Sequence, residues 1–80
     1  MEVFKIEGEF ITISQLLKVL SYIGSGGETK FFLFDNTVLL NDVQITEKKK
    51  KIFPGDIVTI TNKQYKMVWL KKLNLEILEI

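Results

Sequence analysis

Ile13, Leu16, Leu17 and Leu20 recur at i, i+3, i+4 and i+7, a spacing that lays one apolar stripe along a helix. Such a stripe has to be covered, so the remaining elements must supply a surface for it to pack on. Thr12 stands before the stripe and Gln15 three residues on. That is the pattern of a capping box, in which each side chain satisfies a backbone N–H at the helix end. Beyond it, Gly24-Ser25-Gly26-Gly27 offers residues that tolerate the left-handed conformation at a helix C-terminus. Together these signals predict a first helix near 13–22.

The other segments are shorter. Val3-Phe4-Lys5-Ile6-Glu7 alternates in part and is interrupted by Gly8, which predicts a short N-terminal strand and a turn. Phe31-Phe32-Leu33-Phe34 is too short and too uniformly apolar for its period to separate a buried helix from a strand. Asp35-Asn36-Thr37 forms a turn cluster, Val38 to Asn41 a short strand, and Asp42 a further turn residue. Pro54-Gly55-Asp56 is a strong turn before Ile57-Val58-Thr59-Ile60, the best strand in the chain. Tyr65, Met67 and Trp69 alternate with Lys66, Val68 and Leu70, as in a last strand whose large residues either fill the core or form a face for stacking bases. Leu73 to Ile80 is apolar and is left unassigned, a segment available for self-association. The order of elements reads as one α+β domain over 1–80, two helices on one side of an antiparallel sheet.

Composition excludes several functions. The 80 residues contain no cysteine and no histidine, which removes disulfides, thiolate nucleophiles, cysteine-ligated metals and the usual proton shuttle near neutral pH. A chain this short buries only somewhat over 60% of its unfolded surface, which weighs against a deep pocket for a small-molecule substrate. Glu7 and Glu9, and Glu76 and Glu79, read as solvated surface acids. No catalytic residue, metal or cofactor is therefore expected. No run approaches the roughly 18 to 20 apolar residues of a membrane span, and Met1-Glu2-Val3-Phe4-Lys5 lacks the layout of a signal peptide. The expected compartment is the cytoplasm.

The net charge of +1 hides a division: residues 1–47 hold three lysines against seven acids, and residues 48–80 hold eight lysines against three acids. Every basic residue is lysine, a point charge without the planar fork of arginine. Anion binding by this chain should accordingly be weakly sequence-specific. Lys48-Lys49-Lys50-Lys51 cannot all be buried in any backbone conformation. The run is either a phosphate-binding patch or a solvated sheet edge that resists association. Ser25-Gly26-Gly27-Glu28-Thr29-Lys30 is a second candidate. A helix starting near Gly27 would aim unpaired backbone N–H groups outward, with Lys30 in its first turn; the alternative is an ordinary helix cap. The segment lacks the spacer and the Gly-Lys-Ser/Thr ending of a P-loop.

From Glu9 to Ile60 the chain resembles the RNA-binding domain named after small-subunit ribosomal protein four (the S-four, or αL, module), most closely its small stand-alone YaaA-like members. Phe10 to Lys18 matches the opening helix of that family, and Ser25 to Leu33 its Gly-Gly-x-x-Lys second helix. Val38-Leu39-Leu40-Asn41 matches its Val-x-Val-Asn strand, and Pro54 to Val58 its closing Gly-Asp hairpin. Asp42 replaces the glycine that follows the strand asparagine, and Glu47-Lys48-Lys49-Lys50-Lys51 stands where an arginine-rich run is usual. The resemblance tips Phe31 to Phe34 towards helix, giving a second helix near 27–34. It implies non-catalytic recognition of structured RNA, typically ribosomal RNA in ribosome assembly. The RNA-binding residues it supports are Lys18, Ser25, Gly26, Gly27, Lys30, Lys48, Lys49, Lys50 and Lys51. Lys18, Lys30 and at least two of the four-lysine run are expected on one face. The rival is a β-grasp-like protein-interaction module without carrier activity, since the chain ends Glu79-Ile80 rather than Gly-Gly; a second helix at 27–34 distinguishes the two. An enzyme would need a pocket with converging carboxylates.

Overall fold

The structure, a computed structural model, describes residues 1–70. Ten short elements follow one another: β1 (Glu2–Ile6), β2 (Ile11–Thr12), α1 (Ile13–Val19), a 3₁₀ turn (Gly26–Glu28), α2 (Thr29–Asp35), β3 (Val38–Leu40), β4 (Val43–Gln44), β5 (Lys51–Ile52), β6 (Ile57–Ile60) and β7 (Lys63–Trp69). The main sheet has the order β1-β7-β6-β3-β4, and β2 and β5 pair separately. It is antiparallel at the β3–β4, β3–β6 and β6–β7 seams and parallel between β1 and β7, where Phe4 stands opposite Met67. Hairpins force the antiparallel seams. The first and last strands are joined through the whole intervening chain, so nothing local sets their direction. The α+β class with two helices on a sheet is as expected, with this one parallel seam added.

The capping box forms as read. The Thr12 hydroxyl accepts from the Gln15 backbone N–H at 3.2 Å, and the Gln15 Oε1 accepts from the Thr12 N–H at 3.0 Å. Ile13, Leu16 and Leu17 are fully buried, each stabilising the fold by about 1.5–3 kcal/mol. The helix ends earlier than 22, and glycine does not end it. Ser21 takes φ 67°. Its N–H donates to the Lys18 carbonyl at 3.0 Å and the Tyr22 N–H to the Leu17 carbonyl at 2.9 Å, the paired bonds of a Schellman closure. Serine holds the left-handed position because these bonds and the burial of Ile23 outweigh its steric cost.

Phe31 to Phe34 is helical, and the second helix distinguishes this fold from the β-grasp alternative. The apolar run is nevertheless not buried as a block. Thr29 and Leu33 face inward, Phe32 packs its ring on Tyr22 at 5.6 Å, and Phe31 and Phe34 point outward. One face of a helix is all a single sheet can cover.

In the sheet, Val38, Val58, Ile60, Tyr65 and Met67 alternate inward and meet Ile6 and the α1 stripe. Tyr65 and Met67 are therefore core, and Trp69 is half-buried, which decides against a base-stacking face on β7. Asn41 and Asp42, at φ 50° and 71°, form the two-residue connection between Leu40 and Val43, the geometry of a type I′ turn. Asp42 thus occupies the position a glycine would fill without strain. Of the C-terminal segment from Trp69 onward, Leu73 to Ile80 and the self-association expected of it lie outside the described residues. Among the described residues, no helix is long and apolar enough to cross a membrane.

Two measurements test this account. Thr61, a β-branched residue at φ 59° between β6 and β7, and Ser21 should each stabilise the protein by about 0.5–1 kcal/mol when replaced by glycine. The sign is read as a rise in the urea midpoint at constant m-value. The Tyr22 and Tyr65 hydroxyls lie 2.8 Å apart. Burial first, and then the hydrogen bond to Tyr22, push the Tyr65 phenol up from 10.0 to about 12. The folded state holds that proton more tightly than the unfolded chain. Stability from this group should be complete below about pH 10 and be lost as pH rises towards 12. Lys63, raised by its 2.8 Å hydrogen-bonded contact with Glu2, acts in the same direction. Urea titrations across this range should show a shallower decline for Tyr65→Phe than for the wild type.

Candidate nucleic-acid interface

The four-lysine segment is exposed in its side chains and fixed in its backbone. Ile45 on one side of it and Ile52 on the other are buried, so both ends of the intervening loop are plugged into the core. The Ile45 N–H donates to the Val38 carbonyl at 2.8 Å, and the Lys50 carbonyl accepts from the Ile13 N–H at 2.9 Å. Lys51 pairs with Thr12 and Ile52 with Ile11 in the β2–β5 ladder. The lysines are thereby anchored against the first turn of α1, because the residue that caps the helix is also the residue that pairs with Lys51.

This docking brings Lys48, Lys49 and Lys51 together with Gln15 and Lys18 of α1 and Gly26 of the 3₁₀ turn around one groove of about 500 Å³. Among the described residues its charged lining is all lysine, which attracts anions. Lys50 lies instead in a neighbouring recess with Asn41, Gln44 and Glu47. Lys30 lines a different one of about 600 Å³ with Phe31, Phe34, Gln44 and Thr46. Of the lysines expected on one face, Lys18 lines the groove with Lys48, Lys49 and Lys51, and Lys30 lines a separate recess. The reason is helical phase, since Thr29 is the residue of α2 that faces α1 and its neighbour Lys30 is rotated about 100° from it.

The junction between the helices is held by a short polar contact. The Ser14 Oγ and Thr29 Oγ1 lie 2.7 Å apart, with Thr29 fully buried. A side chain at Gly26 would come within ordinary contact distance, 3.6 Å, of the Ser14 hydroxyl. Ser25 and Gly27 flank it and are exposed. Next to them the Glu28 carboxylate folds back, accepting from the Gly24 N–H at 3.3 Å and from the Ser25 hydroxyl at 3.4 Å. A carboxylate thus already sits by the glycine segment, and the cationic groove lies to the Gly26 side of it.

Sequence reading assigned no role in the interface to Phe10 or Phe53. Their rings are 5.7 Å apart at 49°, and the Lys51 ammonium stands 4.8 Å from the Phe10 centroid. The signal in the sequence was the adjacency of Phe53 to the lysine run and of Phe10 to the capping box. Nothing local indicated that the two would meet.

Asn41 and Asp56 explain the two polar residues of the strand and turn motifs. The Asn41 Nδ2 donates to the Asp56 Oδ1 at 3.0 Å, and the Asn41 Oδ1 accepts from the Ile57 N–H at 2.9 Å. The Asp56 Oδ2 accepts from the Phe53 N–H at 2.8 Å. This acid is consumed in closing the turn that carries Phe53. Among the described residues, no group of three or more histidine, cysteine, aspartate or glutamate side chains is placed to hold a metal ion.

Comparison with known proteins agrees with this architecture. The family model described as S4 domain matches residues 4–68, which adds the later part of β1 and nearly all of β7 to the 9–60 span of the resemblance. A Bacillus subtilis (strain 168) protein named "Probable ribosome maturation protein RlbA" is 42% identical over 55 residues, covering 69% of this chain and 78% of that protein. No solved structure matches the chain. With the family's match running from the first strand to the last, and with the two helices and the closing hairpin in the positions its motifs require, this chain belongs to the S4 domain family.

Proposed function

We propose that this protein binds structured RNA, and specifically ribosomal RNA during ribosome maturation, without carrying out chemistry on it. The observation that carries the reading is the convergence of Lys18, Lys48, Lys49 and Lys51 on one groove that has no acidic lining residue among the described residues. A polyanion is the partner such a groove fits, because each ammonium that replaces a condensed counterion adds salt-dependent affinity. Membership of the S4 domain family supports RNA as that polyanion, and the ribosome-maturation role in the name of the Bacillus relative supports ribosomal RNA among RNAs. Work on ribosomal RNA fits a cytoplasmic protein.

Within this reading the groove lysines contact phosphates, Gly26 lets the backbone come close, and Ser25 and Gly27 border the contact. Lys30 and Lys50 act from the flanks. Ammonium groups grip phosphate as point charges, so affinity should depend on the shape and charge of the RNA more than on its base sequence.

Salt titration tests this directly. Four phosphate contacts at a coefficient near −0.9 each give a slope of about −3.5 in log K against log salt, carrying the duplex-DNA coefficient over to RNA. Replacing both Lys48 and Lys49 with glutamine should weaken binding to different structured RNAs about equally and flatten the slope by roughly two. Lys63→Gln, outside the groove, should leave it unchanged. An unaltered slope in the double variant would remove the groove from the account. Failure of the wild type to bind any structured RNA at low salt would favour a protein partner.

A further inference from the structure

We propose that the lysine groove ends in a base-stacking platform formed by Phe53 backed by Phe10, and that the RNA bound here carries an unpaired nucleotide beside a paired stem. The inference rests on the RNA-binding reading and narrows it to a class of RNA.

Phe10 and Phe53 remain 37% and 45% exposed although they touch each other. Their mutual contact thus leaves part of each ring open to solvent. They are also continuous with the cationic surface. Phe10 lines the groove together with Lys48, Lys49 and Lys51, and the Lys51 ammonium sits 4.8 Å from its ring centroid. An aromatic ring beside a cluster of ammonium groups on an anchored backbone is the arrangement that receives an unstacked base and the phosphates on either side of it. A fully paired stem offers no free base face, so only an unpaired nucleotide can use the platform.

The platform is held rigidly before any ligand arrives. The Phe53 N–H is bound to the Asp56 carboxylate at 2.8 Å, and that carboxylate is bound in turn by Asn41 at 3.0 Å. Phe10 leads directly into the β2–β5 ladder, in which Ile52, the neighbour of Phe53, pairs with Ile11, the neighbour of Phe10. Little ordering cost is therefore left for binding. Phe31 and Phe34 are more exposed, at 69% and 89%, but among the described residues Lys30 is the one cation lining their recess, against four at the groove.

The test uses the full chain and two RNA hairpins of the same stem, one fully paired and one carrying a single unpaired adenosine. Stacking of one base on an aromatic side chain should make the wild type prefer the bulged hairpin by about tenfold. Phe53→Leu, which keeps an apolar side chain without the ring, should abolish that preference while changing affinity for the paired hairpin less than about twofold. Phe53→Tyr should retain it, so that loss in the leucine variant reports the ring and not a damaged fold. Equal binding of both hairpins by the wild type would overturn the platform and leave the RNA-binding reading standing. So would a preference that survives Phe53→Leu. Binding of neither hairpin at low salt would overturn both.

Discussion

Two residues of β5 paired with two of β2 hold the lysine surface together. The Thr12 to Lys51 and Ile11 to Ile52 pairs, with the 2.9 Å bond from the Ile13 N–H to the Lys50 carbonyl, fasten the lysine segment to the N-terminus of α1. Four adjacent ammonium groups repel one another, and in a free loop they would spread apart. Ile45 and Ile52 oppose this by anchoring the ends of the segment in the core, so Lys48, Lys49 and Lys51 stay together at the groove. Thr12 is the common element, capping α1 with its side chain and pairing with Lys51 through its backbone. The groove, the position of Lys18 across from the run and the meeting of Phe10 with Phe53 all depend on this attachment.

A second set of polar contacts sets the angle at which that surface is presented. Ser14 and Thr29 join the two helices through hydroxyls 2.7 Å apart, with Thr29 fully buried and Ser14 partly so. The bond is worth keeping because the buried Thr29 hydroxyl would otherwise be left unsatisfied. Asn41 and Asp56 do the same for the hairpin side, tying the end of β3 to the start of β6 and to Phe53. The acids of this chain therefore do different work in different places. Asp56 closes a turn, Glu28 folds over the glycine segment, and no acid among the described residues lines the groove.

Much of this was legible in the residue pattern. The capping box and apolar stripe of α1, the β6 strand, the β7 alternation and the exposure of the lysines follow from local rules: helical period, strand period and the impossibility of burying four adjacent charges. The second helix was not legible from Phe31 to Phe34 alone, because a four-residue apolar run carries no period; it took the resemblance of the flanking motif to assign it. The end of α1 was misplaced for a related reason. Glycines at 24–27 advertised a left-handed residue, whereas the chain used Ser21, whose conformation is imposed by the bonds from residues 21 and 22 back to 18 and 17.

What the sequence determined by itself was a list of parts: the first helix and several strands, a chain without cysteine or histidine, and a basic segment made of lysine only. Those properties depend on neighbours a few residues apart or on composition, and no tertiary contact can change them. What only the tertiary structure decided was which parts meet. Lys18 faces Lys48, Lys49 and Lys51 while Lys30 does not, β1 runs parallel to β7, and Phe10 lies against Phe53. Each of these joins residues far apart in the chain, and is set by how the helices and strands pack around one shared core.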